Sequence, residues 1–192
     1  AIERMAEAGY TVENGVMTGP DGAPFTFKVL ISNAASEVET MMDLYTQALD
    51  RMGIAVEIDK VDSAQLKERT QAYDYDMIYY RWGLSLSPGN EQMRYWGSAG
   101  VEEPGSRNIM GMNSPAAEDM INRLVNSGSQ DEFLAAARSL DRVLMSGRYV
   151  IPIYQYTASR LAHDAALRFD AGNLPMYGDW IGFQPDVWWY EE

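Results

Sequence analysis

The sequence predicts an α/β fold built on a parallel sheet, on three observations. Between Phe25 and Trp82, strand-like apolar runs alternate with amphipathic helical stripes in the order strand, helix, strand, helix, strand, the pattern of a parallel sheet with crossover helices. The helical stripes open on capping residues and close near glycines, so their limits are written locally. The second strand alternates polar and apolar residues (Val56, Ile58, Val61), which places it near a sheet edge.

The elements follow in order. Ile2, Met5 and Ala6 before Gly9 read as the tail of an amphipathic helix with no start signal of its own, so the chain reads as a fragment. Glu13-Asn14-Gly15 between Tyr10-Thr11-Val12 and Val16-Met17 predicts a hairpin, and Gly19-Pro20-Asp21-Gly22 a second turn. Phe25–Ile31 reads as the first sheet strand, with Phe25, Phe27, Val29 and Ile31 on one face. Ser36-Glu37-Val38-Glu39 is a capping box opening a helix with a stripe of Met41, Leu44, Tyr45, Ala48, Leu49 and Met52, closed by Gly53. Asp62 or Ser63 caps a short helix running to about Tyr73, and Asp76–Trp82 is the third strand. Further on, Ser114 with Pro115 starts a helix carrying Ala117, Met120, Ile121, Leu124 and Val125. Ser129-Gln130-Asp131-Glu132 caps the next, with Phe133, Leu134, Ala137, Leu140, Val143 and Leu144. Tyr149–Tyr156 is a further strand, which Pro152 marks as an edge or bulge. The stretch from Phe169 to Glu192 is rich in Gly, Pro and aromatics without clear periodicity, and its large apolar groups need a surface to pack on.

Composition excludes several classes. A net charge of −13 argues against nucleic acid or an anionic membrane as partner. The absence of cysteine rules out disulfides and thiolate metal sites, and a single histidine, His163, rules out a multi-histidine site. No run approaches the ~18 apolar residues of a membrane-spanning helix. No P-loop, dinucleotide fingerprint or EF-hand pattern is present, and no G-x-S-x-G elbow accompanies His163. The expectation is therefore no metal, no cofactor and no catalytic residue. Asp74 and Asp76, straddling Tyr75, are the one carboxylate pair of note, and in that position they read more simply as solvated or paired groups.

The segment with the most chemistry is Arg81–Asn108, which follows the third strand and carries two tryptophans, three arginines and three glutamates. A loop of this length in a compact domain is usually functional or disordered, and its aromatic content argues against disorder. In parallel sheets the ligand crevice lies beyond the carboxyl ends of the strands, so this loop shares its rim with Asn33 after the first strand. Arg81 opens the loop. Trp82 and Trp96 offer rigid faces; Ser85, Ser87, Asn90 and Asn108 offer donors and acceptors for main-chain amides; Arg107 offers a planar fork for a carboxylate or phosphate. The plainer reading of Asn90, after Pro88-Gly89, is a turn cap, and that of Arg107 is a pair with Glu102 or Glu103.

Together with the order of elements, the strings SLSPGNEQ (Ser85–Gln92), YWGSA (Tyr95–Ala99), PGSRN (Pro104–Asn108), SLDRVL (Ser139–Leu144) and YVIPIY (Tyr149–Tyr154) resemble the carboxyl-terminal part of family 5 extracellular solute-binding proteins. These are the peptide- and nickel-type receptors of bacterial ABC importers. Within them the loop is similar to the Yej-type oligopeptide and microcin C binding branch. The resemblance implies a type II periplasmic-binding-protein-like lobe, with a mixed, largely parallel sheet flanked by helices, from a larger two-lobed protein. Residues 1–165 would form the ligand-binding lobe, and residues 166–192 an aromatic tail returning toward a missing first lobe. It further implies a periplasmic protein whose signal peptide lies in the missing amino-terminal part. That protein would capture oligopeptides or peptide-like solutes between two lobes for delivery to permease subunits. In many peptide-binding relatives an aspartate soon after the strand tryptophan pairs with the peptide amine; here Ser85 stands near that place, and Glu91 is the candidate to supply the charge. The rival readings are a secreted carboxylate-dependent hydrolase domain and an interaction module that uses the aromatic tail.

Overall fold

The computed structural model describes residues 1–33, 36–83, 88–101, 103–155, 162–170, 172 and 187–191. They divide into two compact units: Ala1–Arg81 with Glu102–Ile109, and Trp82–Val101 with Met110–Glu192.

The first unit begins with helix α1 (Ile2–Glu7) and the hairpin β1 (Thr11–Glu13) and β2 (Val16–Thr18), whose strands pair antiparallel. The turn between them puts Asn14 at φ 52° and Gly15 at φ 81°, the left-handed pair that an Asn-Gly hairpin requires. Strand β3 (Thr26–Ser32), helix α2 (Ser36–Asp50), strand β4 (Ala55–Val61), helix α3 (Ser63–Gln71) and strand β5 (Met77–Ile78) follow in the predicted order. The sheet runs β4-β3-β5 with both pairings parallel, so β4 stands at an end, as its polar alternation requires. Strand β3 is central, and its Val29, Leu30 and Ile31 are all buried, whereas the alternating pattern assigned burial to one face alone.

Two expectations for this unit need correction. The stripe expected on α2 holds except at Leu44, which is 65% exposed; Val38 and Met42 are the buried residues, and Met41 packs against them. Residues 34–35 lie outside the described ones, so the capping box expected at Ser36 is left undescribed at its start. The third strand is two residues long rather than the seven of Asp76–Trp82. Leu30 pairs with Ile78, and β3 ends two residues later at Ser32, so the chain beyond Tyr80 has no ladder to join.

The second unit holds helix α4 (Glu91–Trp96), a short 3-10 turn (Ser98–Gly100), helix α5 (Pro115–Val125) and helix α6 (Gln130–Gly147). Its core is Tyr95, Trp96, Met112, Ala117, Ile121, Leu124, Ala136 and Leu140. Ser114 caps α5 by accepting from Ala117 N at 3.3 Å. Ser129 caps α6 by accepting from Glu132 N at 3.3 Å, while Glu132 Oε2 reaches back one residue further than a standard box, to Gly128 N at 2.9 Å. On α6 the inward position is Ala136 rather than Leu134, which is exposed. The strand expected over Tyr149–Tyr156 is not formed in its described part: residues 149–155 pair with no strand among the described residues, and Ile151, Ile153 and Tyr154 are exposed. High β-propensity places no strand without a neighbouring edge to accept it. Of the tail, strands β6 (Leu167–Phe169) and β7 (Trp188–Tyr190) pair antiparallel, with Phe169 and Trp188 rings 4.6 Å apart. The rest of the tail, residues 171, 173–186 and 192, lies outside the described residues.

Candidate functional site

In the first unit, two of the expected site residues follow strands of the parallel sheet. Leu30 is opposite Ile78. Asn33 follows directly on β3 and Arg81 stands three residues beyond β5, so both come after the carboxyl ends of parallel strands, where such folds bind ligands. Asn33 is fixed by its backbone N–H, which donates to Val61 O at 2.9 Å, and its side chain is exposed. Arg81 is also exposed; its Nε donates to Tyr79 Oη at 3.0 Å, its guanidinium carbon stands 5.8 Å from the Tyr79 ring centre, and Nη2 lies 3.7 Å from Glu37 Oε2. Arg81 thus lies against an aromatic ring, with a carboxylate at longer range.

The same unit contains the return segment 103–109, which carries Arg107 and Asn108. Arg107 is exposed, whereas Asn108 is fully buried, at 0% exposure. The backbone here is tied to the turn after α3. Gly105 N donates to Gln71 O at 3.2 Å, Tyr73 Oη to Asn108 O at 3.1 Å, and Tyr75 Oη to Ile109 O at 2.7 Å. Burial, with the neighbouring Tyr73 and Tyr80 phenols adding to it, pushes the Tyr75 hydroxyl up to about 12, so it remains a donor at any physiological pH.

In the second unit, Trp82 and Trp96 lie with ring centres 5.6 Å apart and planes at 44°. Trp96 is 9% exposed and belongs to the core, its Nε1 donating to Gln92 Oε1 at 3.1 Å. Asn90 is exposed and stands just before α4, where its side chain makes no capping bond. Glu91 serves that end instead, accepting from Gly89 N at 2.9 Å and from Gln92 Nε2 at 3.3 Å. Pro88 and Gln92 border a cleft of about 150 Å³ floored by Leu124 and Leu140, with Ala137, Asp141 and Leu144 completing it. Ser85 and Ser87 lie outside the described residues.

The site residues therefore sort by exposure. Asn33, Arg81, Asn90 and Arg107 present their side chains to solvent, Trp82 and Glu91 are half-buried, and Trp96 and Asn108 are buried. Four supporting residues escaped the sequence reading. Gln92 is buried against Trp96, a partnership that its i,i+4 spacing could have signalled. Glu118 accepts from both Ser98 N and Ser98 Oγ, the latter at 2.8 Å, fastening the turn after α4 to the first turn of α5. Tyr73 and Tyr75 carry no local signal at all.

The carboxylate pair of the hydrolase reading has structural partners. Asp74 Oδ2 accepts from Arg69 Nε at 2.8 Å, and Asp76 Oδ2 from Lys28 N at 2.9 Å. His163 stands edge-on to Trp188 at 4.8 Å. Among the described residues no group of three or more His, Cys, Asp or Glu side chains is placed to hold a metal ion, and no helix is long and apolar enough to cross a membrane.

Comparison with known proteins adds the following. The sequence profile of the bacterial extracellular solute-binding proteins, family 5 Middle, matches residues 1–103. The chain is 40% identical over 191 residues to the uncharacterized protein y4wM of Sinorhizobium fredii, covering 98% of this chain and 28% of that protein. It is 37% identical over 190 residues to the Agrobacterium fabrum protein named "Probable peptide-binding protein YejA", covering 98% of this chain and 30% of the relative. The chain thus spans less than a third of the length of these relatives. Among solved structures it is similar to the oligopeptide-binding protein AppA of Bacillus subtilis in complex with a nonapeptide, with a TM-score of 0.68 at 20% identity over 77% of this chain and 29% of that one. The shared fold is the type II periplasmic-binding-protein fold, in accord with the α/β architecture expected from the sequence.

Proposed function

Because this chain belongs to the bacterial extracellular solute-binding proteins of family 5, we propose that it forms part of the substrate-binding component of an ABC importer, one that takes up oligopeptides or peptide-like solutes. The observation that supports this reading is the parallel order β4-β3-β5, with Asn33 following β3 and Arg81 following β5 at the strands' carboxyl ends. Asn33 and Asn90 offer amide groups to a peptide main chain, which gives binding that tolerates many side chains. Arg81 and Arg107 offer cationic forks to a ligand carboxylate, and Glu91 a negative charge to a ligand amine. Trp82 supplies an apolar face. Trp96 and Asn108, both buried, act from behind by fixing the backbone of the loop. Ser85 and Ser87 retain their proposed place as main-chain partners.

Capture would proceed by closure of two lobes, with ligand favouring the closed state because both lobes contact it. The location proposed is periplasmic, and the partners are the peptide-like ligand, the permease subunits and the remainder of the receptor. The name of the Agrobacterium relative and the nonapeptide held by the Bacillus protein support peptides as the solute class.

The test is a titration of the full-length protein carrying this chain with a pool of di- to octapeptides. Tryptophan fluorescence reports binding, and mass spectrometry checks the recovered ligand. Saturable binding with ligand returned intact is the expected result. Cleaved peptide would transfer the protein to the hydrolase class, and no binding of any pool member would remove peptides as the solute.

A further inference from the structure

We infer that the hydroxyls of Tyr73 and Tyr75 are positioning groups for ligand recognition, fixing the backbone that presents Arg107 through the carbonyls of the two residues that follow it. The inference rests on the reading of Arg107 as a ligand-binding cation and adds the device that aims it.

The segment 103–109 has no helix or strand among its described residues, so no ladder of its own holds it in place. An unrestrained segment of this kind samples many backbone directions, and ordering it on ligand capture would cost affinity. Here the ordering is done in advance. Gly105 N donates to Gln71 O, while Tyr73 Oη and Tyr75 Oη donate to the carbonyls of residues 108 and 109, bracketing Arg107 on both sides. Within the segment, Asn108 N donates to Ser106 Oγ at 3.0 Å and Ser106 N to Glu103 O at 3.0 Å. Asn108 and Ile109 are buried and Arg107 is exposed, so the backbone beside an exposed arginine is held in place.

The anchor is itself tied to the sheet. Arg69 donates through Nε to Asp74 Oδ2 at 2.8 Å and through Nη2 to Asp74 O at 3.0 Å, and its Nη1 reaches Asp59 on β4. Lys28 N, on β3, donates to Asp76 Oδ2 at 2.9 Å. Tyr73 takes a left-handed backbone, φ 55°, inside this turn, a conformation that costs a non-glycine residue free energy. The strands thus hold the turn, the turn holds two phenols, and the phenols hold the carbonyls next to Arg107.

The experiment uses the full-length protein, with pentaalanine and its carboxamide as probes. The double variant Tyr73→Phe/Tyr75→Phe removes two oxygens and keeps both rings. It should retain the wild-type far-ultraviolet circular dichroism, while amide hydrogen exchange at residues 105–109 accelerates by about tenfold. Its affinity for pentaalanine should fall about three- to tenfold, with little change for the carboxamide. Arg107→Ala should bring the two probes to similar affinity, and adding the tyrosine changes to Arg107→Ala should have no further effect. Unchanged exchange, or a tyrosine effect of equal size with and without Arg107, overturns the positioning role alone. An Arg107→Ala variant that binds pentaalanine as wild type does, or a wild-type protein that binds neither probe, overturns the ligand reading beneath it. Should the double variant fail to fold, Tyr73→Phe alone carries the same comparison.

Discussion

The Tyr75 hydroxyl donates to the carbonyl oxygen of Ile109 at 2.7 Å, joining positions 34 residues apart. Between them the chain leaves the first unit after Arg81 and returns to it with the 102–109 segment. That phenol is one of the bonds that fix where a long excursion ends. Losing that donor would leave a carbonyl on a buried residue without its partner, which costs more than the bond itself contributes.

The titration of Tyr75 gives a pH signature with a definite sign. Its hydroxyl is held at about 12 in the folded protein, against about 10 in an unfolded chain. Below pH ~10 both states are protonated and this contribution to stability is whole; between ~10 and ~12 the unfolded chain loses its proton first, and stability falls. Urea midpoints measured at pH 9, 10 and 11 should decline in the wild type and decline less steeply in Tyr75→Phe. Because Tyr75 is only half-buried, solvent screening keeps the difference small. Equal slopes in the two proteins would refute the assignment.

Gly97 follows α4, and a Cβ there would stand 2.2 Å from Met93 O. That atom is helix backbone, whose freedom to move is limited, so Gly97→Ala should destabilise the second unit by about 1–3 kcal/mol. The tilted Trp82–Trp96 pair offers the readout, as near-ultraviolet circular dichroism should change with the thermal midpoint. A midpoint within one degree of wild type would contradict the clash.

Helix α3 depends on its cap. Asp62 accepts from both Ala64 N at 2.8 Å and Gln65 N at 2.9 Å, and the helix buries none of its residues fully. With little packing to compensate, Asp62→Ala should cost about 0.5–2 kcal/mol, and Asp62→Ser much less. Chemical denaturation of the three proteins would show whether the serine recovers the loss.

Ile121 and Leu44 test the burial assignment directly. Ile121 is 0% exposed in the core between α5 and α6, whereas Leu44, assigned inward by helical spacing, is 65% exposed. Ile121→Ala should lose about 2–5 kcal/mol, and Leu44→Ala about 0.5 kcal/mol or less. A large loss at Leu44 in the full-length protein would identify a surface that another part of the protein covers.

What the sequence determined by itself was local. The Asn14-Gly15 turn, the caps at Asp62, Ser114 and Ser129, the strand-helix order from β3 to β5 and the edge character of β4 were all readable, because each depends on residues within a few positions of one another. The parallel direction of β3 and β5 was readable too, since strand-helix-strand order in one sheet implies it. Tertiary structure decided the rest. It made β3 central, so that Leu30 is as buried as its neighbours, and it left residues 149–155 without a strand to pair with among the described residues, despite their β-branched and aromatic side chains. It turned Trp96 and Asn108 inward while Arg107 stayed in solvent, and it set the phenols of Tyr73 and Tyr75 under the carbonyls of Asn108 and Ile109. Propensity and periodicity act over one or two turns of chain. Which face is covered, and which carbonyl a distant hydroxyl meets, depends on where the loops close, and no neighbouring residue encodes that.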